Sequence, residues 1–373
     1  MNTFRTIKRT ITAVLAVAIV ALFAGALAAA EWPTFRANNR RTGSLAEPSA
    51  ATSPIHGTVA WQRSIGDSIQ SSPAVDGGRI YFGSNDGTFY ALDEQDGSVI
   101  WTFDTGNWIT SSPAVADGVV IFGCYDTRVY ALDAATGKLK WQHTTHNMVA
   151  SSPAIANGYV YFGSVDGNVY CVDIRNGWQK WSYKAGREVY GSPTVSGGVV
   201  YIGNHDGKMM ALDAATGNLK WRAIVGGPVV TAPAVSDGYV YFGSWDGKLY
   251  CAEIKNEAVV WEYDSGGSIE SSPLVANGRV FFGNILGYMN ALDAKTGNAV
   301  WRTPTGQAVV SAPSMRGGQL FFGNNANNVY GLDAASGRIQ WTIPTRGMVT
   351  TSPAVGANAV YVTGLDATVT ALR

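Results

Sequence analysis

Tryptophan recurs every forty residues along this chain, at Trp61, Trp101, Trp141, Trp181, Trp221, Trp261, Trp301 and Trp341, without one slip. Proline keeps the same period from Pro73 to Pro353, and glycine follows from Gly83 to Gly323, with Thr363 breaking the series. A period of this size marks an array of one supersecondary unit that cannot bury its apolar face alone and must pack on its neighbours. Eight such units follow one another with no insertion.

Each unit reads as four short strands. In residues 71–104 the segments SSPAV, RIYFGS, TFYALD and VIWTFD alternate with period two, separated by Asp-Gly-Gly, Asn-Asp-Gly and a turn around Gly97. Turns of this kind supply the positive φ that tight hairpins need, and period two excludes a helical solenoid. Four antiparallel strands per forty residues is the pattern of a propeller blade. The chain stops at Ala371, Leu372 and Arg373, one strand short of a blade, while residues 57–61 match a fourth strand with no blade ahead of it. The expected fold is all-β: an eight-bladed β-propeller of four-stranded antiparallel blades over residues 57–373, closed by an N-terminal strand that completes the C-terminal blade. Such closure removes open edges.

Composition agrees. With 46% hydrophobic residues, 14% charged and 44 glycines, the chain is too apolar for disorder and too rich in turn residues for a helical bundle. Lys+Arg and Asp+Glu both number 27, so no charge excess draws nucleic acid. The first thirty residues stand apart: Arg5, Lys8 and Arg9, then an apolar run over 11–27, then Ala26, Ala28, Ala29 and Ala30. This is the layout of a signal peptide cut after Ala28 or Ala30; an uncleaved membrane anchor is the competing reading. Residues 31–56 form a lead-in segment. No cysteine lies near the cleavage site, so no lipid anchor is expected, and the protein is placed in the periplasm or outside the cell. Cys124, Cys171 and Cys251 are an odd set, which speaks against a disulfide framework.

The sharpest local motif is A-x-D-x-x-T-G-x-x-x-W, intact at residues 131–141, 211–221 and 291–301 and weakened in the other repeats, as in CAEIKNEAVVW at 251–261. It resembles the tryptophan-docking motif of the quinoprotein alcohol dehydrogenase-like propellers, the PQQ-like repeats, and the resemblance runs from Trp32 to Arg373. It implies that each indole packs between neighbouring blades while Asp and Thr tie down the turn. The eight tryptophans are therefore read as structural docking residues and not as a ligand channel. Asp86, Asp126, Asp166, Asp206, Asp246 and Asp366 recur at one turn, with Leu286 and Ala326 in the other blades, and are read as hairpin chemistry.

Residues repeated in every blade cannot tell one end of a ligand from the other, so function is sought where the repeats differ. The link from the fourth strand to the next first strand and the second-to-third hairpin share one face of such a propeller. There Trp108, Tyr125, Arg187, Glu188, Tyr190, His205, Trp245 and Glu270 are the large or charged exceptions, and they form the candidate binding face. Aromatic residues and Arg suit a protein interface. No catalytic residue is assigned, His205 being a poor stand-in for a base at a hairpin tip, and no metal-ligand set is identified.

The expected function is a non-enzymatic extracytoplasmic scaffold that binds a protein partner, as a monomer and with no cofactor. The chain resembles the propeller of the outer-membrane β-barrel assembly machinery in blade number and length, but lacks the lipid-attachment cysteine. The alternatives are a dehydrogenase using pyrroloquinoline quinone (PQQ) and calcium, or a glycan-binding module. Against the dehydrogenase, there are no adjacent cysteines and no loop insertion.

Overall fold

The computed structural model describes residues 54–356 and 358–373; the expected signal peptide and the lead-in as far as residue 53 lie outside them. Eight sheets of four antiparallel strands follow one another in a ring. Blade 1 runs Ala74–Asp76, Arg79–Gly83, Thr88–Asp93 and Val99–Asp104, and blades 2–7 repeat it at intervals of forty residues. Blade 8 takes Ala354–Val355, Val360–Thr363 and Thr368–Leu372 from the C-terminus, and Val59–Ser64 from the other end of the chain as its fourth strand. The protein is an eight-bladed β-propeller closed by its N-terminal strand.

What joins one blade to the next is an indole. Trp101 donates its Nε1–H to the Ala134 carbonyl of blade 2, and Trp61, Trp141, Trp181, Trp261 and Trp301 make the same bond 33 residues onward. Trp341 crosses the seam to the Ile55 carbonyl, 286 residues away. Each ring also lies over the backbone of the turn it reaches: a Cβ on Gly97 would stand 2.7 Å from the Trp61 ring, and one on Gly57 would stand 2.7 Å from Trp341. Glycine is needed there for this approach and for its φ near +72°. A register shift just before every one of these tryptophans turns the side chain out of the sheet toward the next blade. A buried Trp removes roughly 150–250 Å² from water, about 4–6 kcal/mol gross per interface.

Trp221 differs. Its target turn carries Glu257 in place of glycine, at φ 53°, and Trp221 alone among the eight makes no indole hydrogen bond to the next blade.

A second fastening runs around the inner strands. The backbone N–H of Ser72 donates to Ser112 Oγ, Ser112 to Ser152, Ser152 to Ser192, Ala232 to Ser272, Ala312 to Ser352, and Ser352 back to Ser72, at 2.9–3.1 Å. The circuit is interrupted only ahead of Ala232 and Ala312, where the hydroxyl is missing. At the seam Thr363, the residue that breaks the glycine series, donates its hydroxyl to the Ser71 carbonyl. All three cysteines are buried and free, and burial pushes each thiol up to about 12.

Two predictions follow from these interfaces. Glu257→Gly should raise stability in equilibrium unfolding by about 1 kcal/mol, because it removes a left-handed non-glycine residue. His143 sits against Phe162 and Tyr170, with Nδ1 on the Gly177 carbonyl and Nε2 buried without a partner. Burial holds its pKa below the ordinary 6.5. Protonation then favours the unfolded chain, so His143 contributes stability above pH 6.5 that is lost as pH falls through its folded-state value. His143→Phe, matching Phe103 one blade earlier, should flatten the unfolding midpoint against pH between 7 and 5; an unchanged slope would contradict the assignment.

Candidate binding face

The hairpins and the crossover links meet on one face. The hairpin residue just before the repeated Asp donates its backbone N–H to the preceding link in all eight blades: Tyr125 to Trp108 O, His205 to Glu188 O, Trp245 to Pro228 O and Ile285 to Ser268 O, each at 3.0 Å, with the remaining four at 2.9–3.0 Å. Below this ladder seven links bury an Ile or Val (Ile109, Val149 and their equivalents) against the glycine that ends a second strand, and Ile69 is buried in the eighth. A rigid, repeated backbone thus presents side chains that differ from blade to blade.

The hairpin carboxylates are spent on their own turns. Asp86 accepts from Thr88 N and the Tyr90 hydroxyl, Asp166 from Asn168 N and Tyr170, and Asp246 from Lys248 N and Tyr250. Burial and Asp86 together push the Tyr90 phenol up to about 12.

Across blades 4 and 5 three of the expected residues touch. Tyr190 and His205 have ring centroids 5.3 Å apart, and His205 meets Trp245 edge-on at 5.2 Å. Arg187 flanks them, its Nε 3.4 Å from Glu188 Oε2 and 3.9 Å from Asp206 Oδ1. That pair is open to water and adds little stability, which leaves the guanidinium available. Trp108 and Tyr125 make a separate pair at 6.0 Å in blade 2. Burial raises the Tyr190 pKa, and Tyr125 and Glu188 raise it further, so both lie within its electrostatic reach. Glu270 lies two residues before Ser272 of the serine circuit, and desolvation there raises its carboxyl; no ring contact joins it to the aromatic run.

The face also carries residues that sequence reasoning passed over. Leu286, exposed beside Ile285, takes the place of a hairpin Asp, and Met348 is exposed in the link into blade 8. The missing carboxylate at Leu286 was visible, but as a gap in an acidic series and not as an apolar extension. Among the described residues Trp178 is the most exposed large apolar side chain, at 75%, but it stands on the opposite face in the turn before a fourth strand. Among the described residues no three His, Cys, Asp or Glu side chains converge on one point, and the three cysteines stand in separate blades.

Ring, blade count and repeat place the chain in the class of PQQ-like propellers. The family model described as "Outer membrane protein assembly factor BamB" matches residues 49–263, 224–315 and 287–373, and the chain belongs to that family. Among solved structures it is similar to BamB from Moraxella catarrhalis (21% identity over 85% of this chain and 99% of that one, TM-score 0.74). It is also similar to the quinohemoprotein alcohol dehydrogenase from Comamonas testosteroni (15% identity, 92% and 80%, TM-score 0.80) and to the computationally designed Ika8 protein (18% identity, 85% and 99%, TM-score 0.76). At these identities the likeness is one of fold. No curated protein sequence matches the chain.

Proposed function

We propose that the chain is a non-enzymatic, extracytoplasmic scaffold that binds a protein partner on the hairpin face, centred on Tyr190, His205 and Trp245. The observation that carries this reading is the aromatic run across blades 4 and 5, edged by Arg187 on one side and by exposed Ile285 and Leu286 on the other. Aromatic anchors with an adjacent Arg are the residue types that dominate protein interfaces. The family described as an outer-membrane assembly factor supports the same class of role. Location outside the cytoplasm is supported by the basic-then-apolar first thirty residues. Among the described residues no helix is long and apolar enough to cross a membrane.

Binding needs no cofactor in this reading. The anchors stand on hairpins pinned to their neighbours, so little entropy is lost when a partner docks. Arg187 adds a charge that selects an acidic or carbonyl-rich counterpart.

A photocrosslinking residue at position 245 should give one discrete protein adduct in envelope extract, lost with Tyr190→Ala or Arg187→Glu. The same crosslinker at position 138, on the opposite face, should give none. Identical adducts from both faces, or saturable stabilisation of the protein by PQQ with calcium, would sink the reading.

A further inference from the structure

The seam between blades 7 and 8 holds a cavity of about 100 Å³. Its walls include Val329 and Ile343 from blade 7, and Val362, Thr368, Thr370 and Gln62 from blade 8. The other blades explain why it is there. In five of them an aromatic pair stacks across the second and third strands at this interface: Phe82 with Tyr90, Phe122 with Tyr130, Phe162 with Tyr170, Phe242 with Tyr250, and Phe322 with Tyr330, with centroids 5.2–5.6 Å apart. In blade 8 the same register pairs Val362 with Thr370. Where those blades carry two rings, blade 8 carries a Val and a Thr in the same strand register.

The polar end of the missing ring has a partner in waiting. In four blades the Tyr hydroxyl donates to Oδ2 of the hairpin Asp, at 2.5–2.7 Å. Asp366 holds that position in blade 8. Its Oδ1 accepts from Thr368, and its Oδ2 accepts one backbone N–H, from Arg346 at 3.1 Å. In blades 3 and 5 the equivalent Oδ2 takes both a backbone N–H, from His146 or Gly226, and the Tyr hydroxyl. Asp366 is not one of the residues lining the cavity, but its Oδ2 has room for one more donor where, by register, a Tyr at position 370 would place its hydroxyl. A carboxylate oxygen offers two lone pairs, and a charge-assisted O–H bond is a strong one.

We propose that this cavity binds a monocyclic phenol, its ring between Val329, Ile343 and Val362 and its hydroxyl donating to Asp366 Oδ2. A phenol keeps its proton at neutral pH, since the ordinary value is about 10 and the matching environment of Tyr90 pushes it to about 12. The site lies at the seam, away from the aromatic run of blades 4 and 5, and stands or falls independently of the scaffold reading.

The test is calorimetric titration and thermal shift of the full chain with phenol, toluene and cyclohexanol. Phenol should bind saturably and raise the melting temperature, with toluene weaker for want of a donor and cyclohexanol weaker for want of a flat ring. Thr370→Tyr and Val362→Phe each restore a side chain that other blades carry. Either one should raise the melting temperature without ligand and abolish the phenol response; should one fold poorly, the other still decides. Absence of saturable phenol binding would overturn the proposal. So would an undiminished response in either folded variant, or toluene binding as tightly as phenol.

Discussion

An indole lying on a glycine turn of the next blade, with its N–H on a carbonyl there, is the contact on which this ring depends. A four-stranded blade has two apolar faces and no way to cover either by itself. The indole supplies area, direction and a satisfied polar atom in one side chain, and the bulge before each tryptophan aims it. Because the contact runs from each blade to the next, the last blade must find the first, and Trp61 of blade 8 does so by reaching the Glu94 carbonyl and Gly97, while Trp341 ties blade 7 to the N-terminal segment at Ile55 and Gly57. The ring closes through the same interaction that builds it.

That uniformity separates structure from function. Outer strands, docking turns and inner serines repeat because each interface has the same task. The hairpin face is free to vary, because its backbone is already fixed by the ladder of N–H bonds to the links and by the buried Ile or Val beneath. Tyr190, His205 and Trp245 therefore sit on a platform whose shape owes nothing to them. Their replacement should therefore cost the fold little.

The blade count and the closure were legible in the sequence, since each rests on a period of forty that survives in spacing alone. So was the sharing of one face by hairpins and links, which follows from strand order. The serine circuit was not. Ser71 and Ser72 read as the start of an inner strand, and bonds between residues forty apart leave no mark within a single repeat. Substitution of Ala232 and Ala312 gains meaning only once the partner is known. The seam cavity escaped for a related reason. Val362 and Thr370 look like tolerable strand residues until the register shows that they are a pair, and that the equivalent pair elsewhere is a stack of rings. On the binding face, the variable residues could be named, but which of them meet depends on side-chain reach: His205 bridges Tyr190 and Trp245, while Glu270 stands apart.

The most direct test of indole docking is a comparison of two equally buried tryptophans, one of which donates its indole N–H to the next blade while the other does not. Trp181 and Trp221 are each 8% exposed, but only Trp181 donates to the next blade, at 3.0 Å to the Ala214 carbonyl. Replacement by phenylalanine, followed by denaturant unfolding, removes similar area from both and a hydrogen bond from one. The expected result is a loss at Trp181→Phe larger than that at Trp221→Phe by about 1 kcal/mol. Equal losses, or a larger loss at Trp221, would contradict the role assigned to the indole bond.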